Sequence, residues 1–138
     1  SATGNQDVVI GLHGVIYSDY YDGQKRSGRF VHVFHRLLED TSRVNQLGTG
    51  TVHLKGKLLP NLKEMSGASG YTDIKFARLM FDRRIPLYAV ARDADWLTEV
   101  INDSSLYLEV TSNLPIQALR EVQVFCGLSK LAIVSNEF

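Results

Sequence analysis

Ile85-Pro86-Leu87-Tyr88-Ala89-Val90-Ala91-Arg92-Asp93-Ala94-Asp95-Trp96-Leu97 is the stretch whose reading decides the fold. Its apolar run, Leu87 to Ala91, suits a strand buried on both faces, as strands of parallel sheets are. Asp93 and Asp95 stand where that strand stops. Ligands of open parallel sheets bind just beyond the carboxyl ends of the strands. Paired carboxylates there suit a hard cation such as Mg²⁺. The same aspartates equally suit the cap of a helix beginning near Trp96. From these residues alone the two readings stand level.

Working back from that strand, Ile74, Ala77, Met80 and Phe81 recur at helical spacing and predict a helix to about Arg84. Thr72 suits its N-cap, and Asp73 lies in the first turn, where negative charge is favoured. Asn61 to Tyr71 reads as a loop with one helical turn at Leu62-Lys63-Glu64-Met65. Thr51 to Leu59 is a short strand candidate stopped by Pro60. Phe30, Val33, Phe34, Leu37 and Leu38 share one helical face and predict a helix over Phe30 to Asp40, with Ser27 or Gly28 as its cap. Val8 to Leu12 is a buried-type strand, ended or kinked at His13-Gly14. The tyrosine-rich segment Ser18 to Gly28 is a long connection, of a kind that often carries function.

Working forward, Trp96, Leu97, Val100 and Ile101 predict a further helix, and Leu106 to Val110 a strand. Asn113 and Pro115 open another helix with the stripe Ile116, Leu119, Val122 and Phe125, closed by Gly127. Lys130 to Val134 reads as a last strand. Strands and helices thus alternate, which predicts a single α/β domain over residues 1–138. The expected architecture is a three-layer α/β/α sandwich with a mainly parallel sheet of about five strands and right-handed crossovers.

Composition narrows the chemistry. With 138 residues the chain is long enough for one core without staples. One cysteine, Cys126, excludes an internal disulfide and a Cys-based zinc site. No apolar run approaches a membrane span, and the polar start Ser1 to Gln6 lacks the pattern of a signal peptide, so an intracellular, cytoplasmic protein without membrane contact is expected. Fifteen basic and fifteen acidic residues give no global pull towards nucleic acid. Gly50 to Lys57 has the wrong spacing for a phosphate loop, and Gly67-Ala68-Ser69-Gly70-Tyr71 is not a nucleophile elbow. His32 and His35 have no accompanying carboxylate motif, so no metal site is assigned to them.

Read together, Gly70-Tyr71-Thr72-Asp73-Ile74-Lys75-Phe76-Ala77 and Leu87 to Trp96 resemble the NYN domains, nuclease modules of the PIN-like superfamily. In that family a "Val-Asp-Ile/Val" helix start precedes a strand ending in "Ser-Gly-Asp-x-Asp-Phe". The resemblance spans about residues 7 to 127. It implies a metal-dependent endoribonuclease acting in RNA processing or decay. Asp73, Asp93 and Asp95 would hold one or two Mg²⁺ or Mn²⁺ ions that activate water and stabilise charge developing on phosphate. The family's first aspartate falls on His13, its asparagine on Ile16, and its Ser-Gly on Ala91-Arg92. Three outcomes are open at that edge: His13 ligates the metal itself, Asp19 or Asp22 substitutes, or the site is degenerate and Arg92 neutralises the acids. A degenerate site implies a non-catalytic RNA- or protein-binding module on the same fold. Lys75, Arg78 and Arg92 are the basic residues expected to meet RNA, Lys75 and Arg78 sharing a helical face. A homodimer or larger assembly is a further expectation.

Overall fold

The computed structural model describes residues 7–24, 27–98 and 115–131. The expected strand Leu106 to Val110, the helix residues Val100 and Ile101, and Asn113 lie outside them.

The architecture corrects the expected parallel sandwich. Among the described residues two sheets form instead of one. The first has four strands in the order β4 (Ser42–Val44), β7 (Leu87–Ala89), β1 (Val9–Gly11), β6 (Val52–His53). Only β1 and β7 run parallel; β4 and β6 flank them antiparallel. The second sheet is antiparallel, in the order β3 (Arg29–His32), β2 (Gly14–Tyr17), β5 (Gln46–Leu47). The expected strand Leu87 to Ala91 forms over Leu87–Ala89, buried at all three positions, and ends before the exposed Ala91; one of its neighbours is parallel and the other antiparallel.

The chain leaves the first sheet and enters the second at Leu12-His13. Gly14 makes that passage possible. A Cβ there would stand 2.7 Å from Val44 Cγ1 and 2.9 Å from Ala89 Cβ, so only a residue without a side chain lets the two sheets approach.

The expected helix over Phe30 to Asp40 is absent. Residues 29–32 pair with β2 instead, with Tyr17 opposite Arg29, Ile16 opposite Phe30, Val15 opposite Val31 and Gly14 opposite His32. Aromatic and β-branched residues fit a pleated surface, and a short apolar run satisfies both periods at once. The backbone groups of β2 need partners, and residues 29–32 supply them. Thr51 to Leu59 also differs from its expected strand: only Val52–His53 pairs, and Gly56–Leu58 forms a 3₁₀ turn.

The helices include α1 (Leu62–Met65), α2 (Thr72–Asp82), α3 (Ile116–Phe125) and α4 (Leu128–Leu131). The single turn α1 stands where expected. Asn61 Oδ1 accepts from Glu64 N at 2.8 Å while Glu64 Oε1 accepts from Asn61 N at 3.0 Å, a reciprocal capping box. Helix α2 buries Ile74, Phe76, Ala77 and Met80; its N-cap is Tyr71 rather than Thr72. It ends in a Schellman motif: Ile85 N–H donates to Met80 O at 2.9 Å and Arg84 N–H to Phe81 O at 3.0 Å. The residue that turns left-handed there is Arg84, with φ 59°. A side chain in that conformation costs roughly 1 kcal/mol relative to glycine. Helix α3 buries Ala118, Val122 and Phe125, whereas Ile116 of the expected stripe is 60% exposed. Lys130 and Leu131, expected in a strand, belong to α4. The helix expected near Trp96 does not begin among residues 96–98, and Trp96 is exposed.

The core lies between α2, α3 and the two sheets. Val9, Val15, Leu47, Met80, Val122 and Phe125 are among its fully enclosed side chains. Asn45 ties the layers together from inside. Its Oδ1 accepts from Tyr17 N at 2.9 Å, and its Nδ2 donates to Phe125 O and Gly127 O, both at 3.1 Å.

Candidate functional site

Because β1 and β7 are parallel, their carboxyl ends share one edge. His13 follows β1 there, and the segment containing Asp93 and Asp95 follows β7. Asp73 comes from the first turn of α2. The sequence thus brings its four prospective metal donors to neighbouring elements, but each one is engaged differently.

Asp73 is bound to Thr49. Its Oδ1 accepts from Thr49 N at 2.9 Å and from Thr49 Oγ1 at 2.5 Å. The preceding residue, Gly48, donates its N–H to His13 O at 2.8 Å. Gly48 and Thr49 therefore link His13 to Asp73 through two consecutive residues. The His13 imidazole packs near the Phe34 ring, centroids 6.1 Å apart. Its Nδ1 is buried without a hydrogen-bond partner. Burial lowers the His13 pKa, nearby Arg29 lowers it further, and Asp73 pulls the other way.

Asp93 and Asp95 are exposed. The chain after β7 turns aside at Arg92, whose backbone exchanges hydrogen bonds with Leu38 at 2.9 and 3.0 Å. Asp95 then donates its N–H to His35 O at 2.8 Å and adopts φ 57°, a left-handed conformation that aspartate tolerates. Asp93 borders an open hollow of about 590 Å³ with Leu12, Leu38 and Trp96. Arg92 does not neutralise these acids. Its guanidinium donates to the carbonyls of Arg36 at 2.8 Å, Val90 at 3.3 Å and Val33. It clasps the 33–36 turn to the end of β7.

Among the described residues, no three His, Cys, Asp or Glu side chains are placed to hold a metal ion. The donors do not fit Mg²⁺ or Mn²⁺ as a set. Neither expected substitute joins them. Asp19 accepts from Ser129 N at 3.0 Å and Ser129 Oγ at 2.8 Å, which ties it to α4. Asp22 accepts from Gln24 N at 3.0 Å within its own turn.

The basic pair Lys75 and Arg78 does share a face of α2, and that face is turned to α3. Lys75 Nζ lies 3.4 Å from Glu121 Oε2, and Arg78 Nη1 lies 3.2 Å from Glu121 Oε1. Arg78 Nε also meets Asp82 at 3.1 Å. These cations are internal partners of two helices.

The face that sequence reasoning missed is β3, the outer strand of the second sheet. Phe30 is 58% exposed. Its ring stands edge-on to His32 with centroids 4.9 Å apart, and Phe34 stands edge-on to His35 at 5.2 Å. The exposed Arg36 follows this row, while the Arg29 side chain is engaged by the buried Tyr17. The alternation Arg29-Phe30-Val31-His32 after Gly28 was the available signal.

No protein-family model matches this chain, and no curated protein matches it. The resemblance to NYN domains therefore rests on the residues quoted for it. Among the described residues, no helix is long and apolar enough to cross a membrane.

Proposed function

We propose that this chain is a single-stranded RNA-binding module whose contact surface is the β3 edge. The observation that carries the reading is the aromatic row Phe30, His32, Phe34 and His35, followed by the exposed Arg36. Single-stranded RNA needs exposed ring faces for its bases and cations for its phosphates. Burial lowers the His32 pKa, so its ring is the neutral, stacking form at neutral pH. No hydrolytic step is assigned, because Asp73, Asp93, Asp95 and His13 do not gather into a metal-holding group among the described residues. Of the two functions the NYN resemblance implies, the non-catalytic one is favoured on this ground.

Fluorescence anisotropy with a labelled single-stranded RNA tests the reading. A stacked base contributes roughly 1–3 kcal/mol, so Phe30→Ala weakens binding about tenfold. Affinity also falls as salt rises. Lys75→Ala leaves affinity unchanged. Absence of binding at low salt, or equal affinity of the wild type and Phe30→Ala, refutes it. Mn²⁺-dependent cleavage lost in Asp93→Asn would restore the nuclease in its place.

A further inference from the structure

A second cavity, of about 270 Å³, opens on the far side of the core, where β4, the end of α2 and α4 meet. Its apolar lining includes the half-buried Phe81 and Ile85. Three cations line it: Arg43, Arg84 and Lys130. The acid that lines it, Asp82, is already held by Arg78, with both carboxylate oxygens 3.1 Å from Nε. Arg43 and Lys130 are steered by the walls. Arg43 Nη1 donates to Leu131 O at 2.9 Å, and Lys130 Nζ sits 5.9 Å from the Phe81 ring centroid.

Arg84 is the informative member. It occupies the left-handed position of the Schellman motif, where glycine is the unstrained residue. Among the described residues it makes no ion pair, and it lines the cavity. A strained residue that lines a cavity points from strain to function.

We propose that this cavity binds a small carboxylate with an apolar body, the ring or chain lying on Phe81 and Ile85 and the carboxylate meeting Arg84 and Lys130. The volume lies just below the roughly 300–1,000 Å³ of sites for drug-sized ligands, so the ligand is smaller than those. The site is separate from the β3 edge and does not depend on RNA binding.

The probe is 2-naphthoate, titrated into the full chain by calorimetry, with neutral 2-naphthamide as its comparison. Saturable one-to-one binding of naphthoate is expected, with naphthamide at least tenfold weaker. Arg84→Gly weakens naphthoate at least tenfold and raises Tm, because it removes the charge and the backbone strain together. Arg84→Ala weakens it equally without raising Tm, since alanine keeps the strained φ. Lys130→Gln weakens it in the same sense. The proposal is overturned if naphthoate does not saturate, if the amide binds as well, or if Arg84→Gly leaves affinity unchanged. It is also overturned if Arg84→Gly lowers Tm, because the arginine then serves the fold.

Discussion

Thr49 holds Asp73 with two donors at once, its backbone N–H at 2.9 Å and its hydroxyl at 2.5 Å. The contact fastens the turn after β5 to the first turn of α2. Hydrogen bonds to a charged group contribute roughly 1.5–3 kcal/mol, so Asp73→Ala lowers stability by about 2 kcal/mol in urea unfolding. Asp73→Asn keeps an acceptor oxygen and loses less. Because the carboxylate serves Thr49, adding Mg²⁺ or EDTA leaves the wild-type Tm unchanged. A rise in Tm with Mg²⁺ that Asp73→Ala abolishes would show instead that the metal binds there.

His13 makes the protein acid-sensitive. Burial and the neighbouring Arg29 depress its pKa below the ordinary 6.5. Below that pH the unfolded chain takes up a proton that the folded imidazole refuses, so stability falls as pH drops from the unfolded pKa towards the folded one. Above it both states are neutral and the difference vanishes. His32, also depressed by burial, acts in the same direction. Tm measured between neutral and mildly acidic pH falls less steeply in His13→Gln than in the wild type. An unchanged slope would show that His13 is not the titrating group.

Arg92 is a clasp between backbone segments, and a lysine cannot replace it. The planar guanidinium reaches the carbonyls of Arg36, Val90 and Val33 together, whereas an ammonium is a single point charge. Arg92→Lys therefore destabilises nearly as much as Arg92→Ala, about 2 kcal/mol by chemical denaturation. Full rescue by lysine would mean that charge alone matters.

The α2–α3 ion pairs are modest. Lys75, Arg78 and Glu121 keep 20–29% of their side-chain surface in water, so solvent screens them. A double-mutant cycle of Arg78→Ala with Glu121→Ala returns a coupling of about 1 kcal/mol or less, falling with salt.

Asn45 is the opposite case. Its side chain is buried and fully engaged by Tyr17 N, Phe125 O and Gly127 O. Asn45→Ala leaves these groups without partners, at a cost of about 3 kcal/mol. Asn45→Asp costs a similar amount, since a carboxylate has no donor for the two carbonyls. A loss below 1 kcal/mol in either variant would mean that water replaces the amide.

The legible parts of the sequence were those with local causes. The stripe Ile74, Ala77, Met80, the one-turn helix at Leu62–Met65 with its Asn61–Glu64 box, and the buried run after Pro86 each follow from spacing or capping within a few residues. The placement of Asp73 in a first helical turn was legible for the same reason. Its partner was not, since Thr49 is distant in sequence and nothing in a Thr-Gly-Thr stretch marks it as a donor to an aspartate. Phe30, Val33, Phe34, Leu37 and Leu38 misled because their spacing fits a helix while their residue types fit a strand. The basic pair Lys75 and Arg78 shares a helical face, but spacing alone does not reveal Glu121 on the facing helix.

By itself the sequence determined the segments whose causes are local, the one-turn helix Leu62–Met65, the helix Thr72–Asp82 and the strand after Pro86, because side-chain period and capping act within a turn or a strand. Only the tertiary structure decided that β1 and β7 are the one parallel pair among the described residues, that the chain passes from the first sheet to the second at Leu12-His13, and that residues 29–32 join the second. It also decided that Asp73, Asp93, Asp95 and His13 form no group of three metal donors among the described residues. Strand pairing and carboxylate convergence satisfy backbone groups and charges far apart in the chain, and the free energy of those contacts depends on which surfaces close together.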